Sequence, residues 1–206
     1  MFSFFKKPKK KHLTKNSTFY HRENIIQNLA DLKNVLTSSA KFTTSHPLTF
    51  QGLPLESIDY RSLEERMGEE SYILDHEDVI ADHQVYFYRK NVEKYKLLIQ
   101  VHYINDVLCF ISTKFSADNL LTVSEKEKII SQLLHNYPDI KLEKNVFDFK
   151  FSDAKGNKIS ATDNVFFYVN YCPMNKSIEK LRADILGGKY IDTAIAEEKD
   201  TLDKFI

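Results

Sequence analysis

The sequence predicts an α+β fold in which an antiparallel sheet packs against helices. Three observations lead there. From His83 to Phe115, apolar residues alternate with polar ones in runs that meet at Asn105-Asp106. From 145 to 171, alternating phenylalanines reach a turn at Lys155-Gly156-Asn157, and a second apolar run returns the chain. Around these lie four segments with apolar residues at helical spacing. Strands in antiparallel sets with separate helices are the signature of α+β architecture.

The elements follow in order. Residues 1–16 form a basic arm, with six lysines and no acid among the first fifteen residues and Pro8 to break a helix. It reads as a solvated, disordered arm. Its functional reading is a weak anionic-membrane contact, with Phe2, Phe4 and Phe5 at the lipid interface and the lysines on the head groups. A helix is expected from Ser17 or Thr18 to Ser38, with Ile25, Ile26, Leu29, Leu32 and Leu36 on one stripe. The polar stretch 39–47 reads as a linker or lid. A short helix follows from Ile58 to Met67, stopped by Gly68. Tyr72-Ile73-Leu74-Asp75 reads as a first strand, and 75–83 as a loop.

In the central meander, Leu97, Ile99, Val101 and Tyr103 fall at every second position. Lys96, Gln100 and His102 stand between them, the pattern of a strand with one buried face. A tight turn at Asn105-Asp106 sets Tyr103 opposite Leu108, Val101 opposite Phe110 and His102 opposite Cys109. Ser124 and Glu127 read as a capping box for the next helix, which carries Ile129, Ile130, Leu133, Leu134 and Tyr137 and ends at Pro138. Phe147, Phe149 and Phe151 then pair with Val165, Phe167, Val169 and Tyr171 as a hairpin. Asn175 caps a last helix that stops at Gly187-Gly188. The domain therefore spans 17–188, and 189–206 is a weakly amphipathic tail. A helix between two antiparallel sets on one sheet resembles the element order of secretion-chaperone-like folds; the likeness is of order alone and implies no function.

Composition bounds the function. The chain has 206 residues, 42% hydrophobic and 28% charged, with 15 Phe, 11 Tyr, five Gly and five Pro. These values suit a globular protein with a sizeable core. Lys+Arg and Asp+Glu balance at 29 each, so no bulk positive field draws nucleic acid. No run reaches the roughly 18 apolar residues of a membrane span. Cys109 and Cys172 lie in apolar strand-like runs and read as buried free thiols. The reading is a cytoplasmic protein, peripheral to the membrane if the arm engages lipid.

Chemistry-bearing motifs are few. No dinucleotide, phosphate-loop or nucleophile-elbow pattern occurs. Asp75, His76, Glu77, Asp78, Asp82 and His83 are metal-ligating types, but no ligand motif spaces them, and they read as a solvated acidic loop without metal. His102 beside Cys109 could in principle activate a thiol, but a mid-sheet cysteine is normally inert. No catalytic residue and no cofactor is expected.

Charge is segregated. From Glu56 to Asp82, ten acids face Arg61 and Arg66, a net of −8. The expectation is a non-enzymatic protein-binding or adaptor module. Its binding surface would hold Glu64, Glu65, Glu69 and Glu70 beside Tyr60, Tyr72, Tyr86 and Tyr88. The alternative is a small-molecule or lipid-binding α+β domain, with hydrolysis open to it.

Overall fold

The structure, a computed structural model, describes residues 17–190. The basic arm and all but the first two residues of the tail lie outside them. The architecture is α+β. The chain forms α1 (Ser17–Glu23), α2 (Leu29–Thr37), β1 (Phe42–Thr43), β2 (Thr49–Phe50), β3 (Leu53–Pro54), α3 (Tyr60–Met67), β4 (Tyr72–Asp75) and β5 (His83–Val92). Then come β6 (Tyr95–Ile104), β7 (Val107–Ser116), α4 (Val123–Leu134), β8 (Phe149–Ser152), β9 (Lys158–Asp163), β10 (Phe167–Cys172) and α5 (Lys176–Leu186). Eight strands make one sheet in the order β1-β8-β9-β10-β7-β6-β5-β4, and β2-β3 is a separate hairpin. Every pairing in the large sheet is antiparallel except β1 with β8.

Both faces of the sheet are covered. On one, Tyr86, Tyr88, Ile99, Val101, Ile111, Phe151 and Phe167 join Leu63 and Met67 of α3 and Ile129 and Ile130 of α4 in a single core. On the other, Leu29, Leu32 and Leu36 of α2 and Ile178, Leu181 and Ile185 of α5 pack with Ile104 and Phe110. Gln100 and His102, expected on a solvated face, are therefore fully buried.

The β6–β7 hairpin turns at Asn105 and Asp106, with φ of 49° and 60°. Both residues are left-handed, as a two-residue turn matched to strand twist requires. Tyr103 pairs with Leu108. The two further pairings expected from the sequence are displaced by a bulge: His102 pairs with Phe110 and Val101 with Ile111. Cys109 is the extra residue, and it joins Phe110 in the core of the second face.

Four other expectations change. The first helix is two, because Asn24 folds its side chain onto the Ile26 N–H and C=O and ends α1. Asn28 then caps α2 by accepting the Asp31 N–H at 2.9 Å. The stretch 39–47 holds β1, which lies parallel to β8 at the sheet edge. The capping box of α4 is Thr122 with Glu125, two residues earlier than read. Finally, Phe149–Ser152 does not pair with Phe167–Cys172, because β9 lies between them. Asn175 does cap α5, accepting the Ser177 and Ile178 N–H groups.

Candidate functional site

The acidic stretch divides once folded. Glu56 pairs with Lys155 and accepts from the Asn157 amide at 3.0 Å, tying β3 and its following turn to the β8–β9 turn. Asp59 caps α3 in a reciprocal box with Ser62. Glu64, Glu65, Glu69, Asp75, Glu77, Asp78 and Asp82 are exposed, and Glu70 is half-buried. Glu64 and Glu65 sit toward the C-terminal end of α3, where the helix dipole disfavours them. Lys90 relieves that end by donating to the Met67 carbonyl at 2.6 Å.

Of the four tyrosines, Tyr60 meets one of these acids, its hydroxyl donating to the Glu70 carboxylate at 3.5 Å, but the four do not form one surface with them. Tyr86 and Tyr88 are buried in the core of the first face. Tyr60 is half-buried, its ring 5.5 Å from that of Tyr86, edge to face. Tyr72 belongs to the opposite face, stacked on Tyr20 at 4.3 Å. The cause is strand alternation: Tyr72 lies opposite Phe87, and Tyr86 and Tyr88 flank Phe87 with the other parity. Tyr86 and Tyr88 are thus removed as surface anchors, and Tyr60 and Tyr72 present only part of a ring each.

The 75–83 loop is not wholly solvated either. His76, His83 and His102 form a buried line. His76 Nδ1 lies 3.0 Å from His83 Nδ1, and His83 Nε2 lies 3.2 Å from His102 Nδ1. The His83 and His102 rings stack 5.4 Å apart. Burial, and then the neighbouring His76, push the His83 pKa down to about 3. His102 is held well below its ordinary value by burial, then by His83 and His76. His102 Nε2 has no hydrogen-bond partner among the described residues. A neutral imidazole has one donor and one acceptor. Protons on His102 Nδ1 and His83 Nδ1 satisfy both links and leave an acceptor, not a donor, unpaired at Nε2, the cheaper orphan. At one end of the line the His102 ring lies 5.4 Å from the Phe110 ring, and at the other the His76 ring lies 6.4 Å from that of His21. Its sequence signal was parity: β5 and β6 each place one histidine at an inward position.

Cys109 donates its thiol to the His102 carbonyl at 3.3 Å, not to the imidazole. Burial pushes both cysteine thiols up, away from the reactive thiolate. Both are free and buried. Among the described residues no group of three or more His, Cys, Asp and Glu is arranged to hold a metal ion. No described helix is long and apolar enough to cross a membrane.

A different surface emerges at one end of the sheet. The β5–β6 hairpin tip, the β7–α4 connection and the β9–β10 turn all meet there, since Val92 pairs with Tyr95, Lys96 with Ser116 and Phe115 with Phe167. Five of the six large apolar side chains exposed among the described residues lie on these segments or at the start of α4: Val92, Leu120, Val123, Val165 and Phe166. Leu120 is 68% exposed and Val165 72%. Leu120, Val165 and Phe166 line one groove of about 520 Å³. Two of its lining residues are ion-paired, Asp118 with Lys96 and Lys126 with Asp163, each at 2.7 Å, and Lys128 pairs with Glu93 of the β5–β6 turn at 3.0 Å.

Compared with known protein families, with curated proteins and with solved structures, the chain matches none.

Proposed function

We propose that this protein is a non-enzymatic binding module whose partner is another protein. The observation that carries the reading is the clustering of exposed apolar side chains at one end of the sheet, rimmed by ion pairs. An apolar centre inside a polar rim is the usual anatomy of a protein interface. Large exposed apolar patches are uncommon unless something covers them. The exposed acids between 64 and 82 add a negative field that speeds approach of a basic partner without supplying the anchor.

The test is site-directed photo-crosslinking from position 165 in the native cell extract. A cross-linked protein should appear, and Leu120→Asp should remove it while leaving thermal melting unchanged, because Leu120 is solvent-exposed. A control probe at the exposed Lys141 should capture nothing in common with it. The same cross-linking pattern with and without Leu120→Asp would sink the proposal.

A further inference from the structure

On the second face, the sheet is polar where an interior should not be. Gln100, Ser112, Asn170, Ser160 and Lys150 stand opposite one another from strand to strand, in one row. Directly paired residues share a face, so the row runs under the helices of that side. Gln100 is satisfied at the break between α1 and α2. Beyond it the row lacks partners. Ser112 Oγ and Asn170 Oδ1 are buried with no hydrogen bond among the described residues. Oδ1 is an acceptor that an anion cannot match, so the donor Asn170 has for an anion is its amide nitrogen.

A groove of about 230 Å³ opens there between α2 and strands β8, β9 and β10. Asn34 and Ser38 line it from the helix side, and Lys150, Lys158, Ser160 and Asn170 from the sheet. Among the described residues no carboxylate lines it. Lys158 donates to the Leu36 and Ser38 carbonyls at 3.2 and 2.9 Å, closing the end of α2 and leaving one N–H uncommitted. The Lys150 carbonyl accepts the Lys41 N–H, but the Lys150 ammonium has no hydrogen-bond or ion-pair partner among the described residues. Burial and the charge of Lys158 hold its pKa below the ordinary lysine value. Two neighbouring ammonium groups without a counter-charge, beside hydroxyl and amide donors, form an oxyanion-binding constellation.

We propose that this groove binds a small phosphate-bearing molecule, its phosphate seated between Lys150 and Lys158. A dianion offsets both ammonium charges, and its fan of oxygens accepts from Ser160 and from the Asn170 amide. The volume limits the ligand to a phosphate with a small organic body, or to phosphate itself.

Nuclear magnetic resonance titration tests this at constant ionic strength. Inorganic phosphate, glucose 6-phosphate and sodium acetate are added in parallel, and the Asn170 side-chain amide and the Lys150 and Lys158 ε-methylene signals are followed. Saturable shifts with phosphate or the ester, and none with acetate, are expected. A stronger response to the ester assigns a phosphorylated metabolite, and an equal one assigns free phosphate. Lys150→Met should weaken binding by about tenfold or more while melting stays near wild type, since Lys150 holds no other group. Asn170→Leu, which retains both lysines, should weaken it less. Absence of saturation, equal shifts with acetate, or unchanged binding in Lys150→Met would overturn the proposal.

Discussion

The Gln100 side chain accepts the Ile25 N–H at 3.1 Å across 75 residues of sequence. Its amide nitrogen donates in turn to the Glu23 carbonyl at 2.7 Å. One glutamine in the middle of the sheet thus satisfies the last carbonyl of α1 and the second N–H of the break that follows it. Without it, those groups would be orphaned near the core.

Gln100→Leu should therefore destabilise the protein by about 2–3 kcal/mol, the cost of leaving backbone groups unpaired in a buried site. Urea unfolding measures it. A loss under about 0.5 kcal/mol would mean that water or a local rearrangement replaces the glutamine.

Stability should fall with acid between pH 6.5 and 5. The unfolded imidazoles titrate near 6.5, whereas His83 is held down to about 3 and His102 also well below. Above pH 6.5 both states are neutral and the stability is complete. Below it the unfolded chain takes up protons that the fold refuses, at about 1.4 kcal/mol per pH unit for each fully responding imidazole. The urea midpoint at pH 5 should lie below that at pH 7, and His102→Leu should flatten the difference. A wild-type midpoint level across this range would contradict a neutral buried line.

Asp106→Gly should stabilise by about 0.5–1 kcal/mol. Asp106 holds φ at 60°, a conformation that glycine adopts without a Cβ penalty. Asn-Gly is the favoured pair for such a turn. Thermal melting of the variant should rise, and a fall would show that the aspartate side chain contributes more than its backbone strain costs.

Deleting residues 1–15 should leave the melting temperature unchanged. It should also reduce sedimentation with anionic vesicles, most clearly at low salt, because six lysines leave with the segment. If the full-length chain ignores such vesicles, the membrane contact is withdrawn.

Local chemistry made several elements legible. The positive-φ turn at Asn105-Asp106, the Gly68 stop and the Asn175 cap each have a side-chain or backbone cause within a few residues. What escaped depends on distant partners. The α1–α2 break needs Gln100 to receive it. Strand β9 has only Ile159 and Ala161 as apolar residues, with Lys158 also buried, and carries too weak an alternation to announce itself. The bulge at Cys109 shifts register without changing composition. The histidine line required knowing that β5 and β6 pair, and the lysine groove required β8, β9 and β10 side by side. The tyrosines misled because their polar tips suit a surface as well as a core.

The shortest strand of the large sheet has the longest reach. β1 is two residues long, yet its strand partner β8 begins more than a hundred residues later. During synthesis the chain emerges from its amino end, so β1 waits unpaired while the β5–β6–β7 meander assembles by hairpins. Closing so distant a pair is slow, because the loop entropy is lost before any contact repays it. The far edge of the sheet is thus the last to zip, and until then β8 offers an open backbone to any neighbouring chain. A nascent protein arrested before residue 149 would hold its meander but not its boundary.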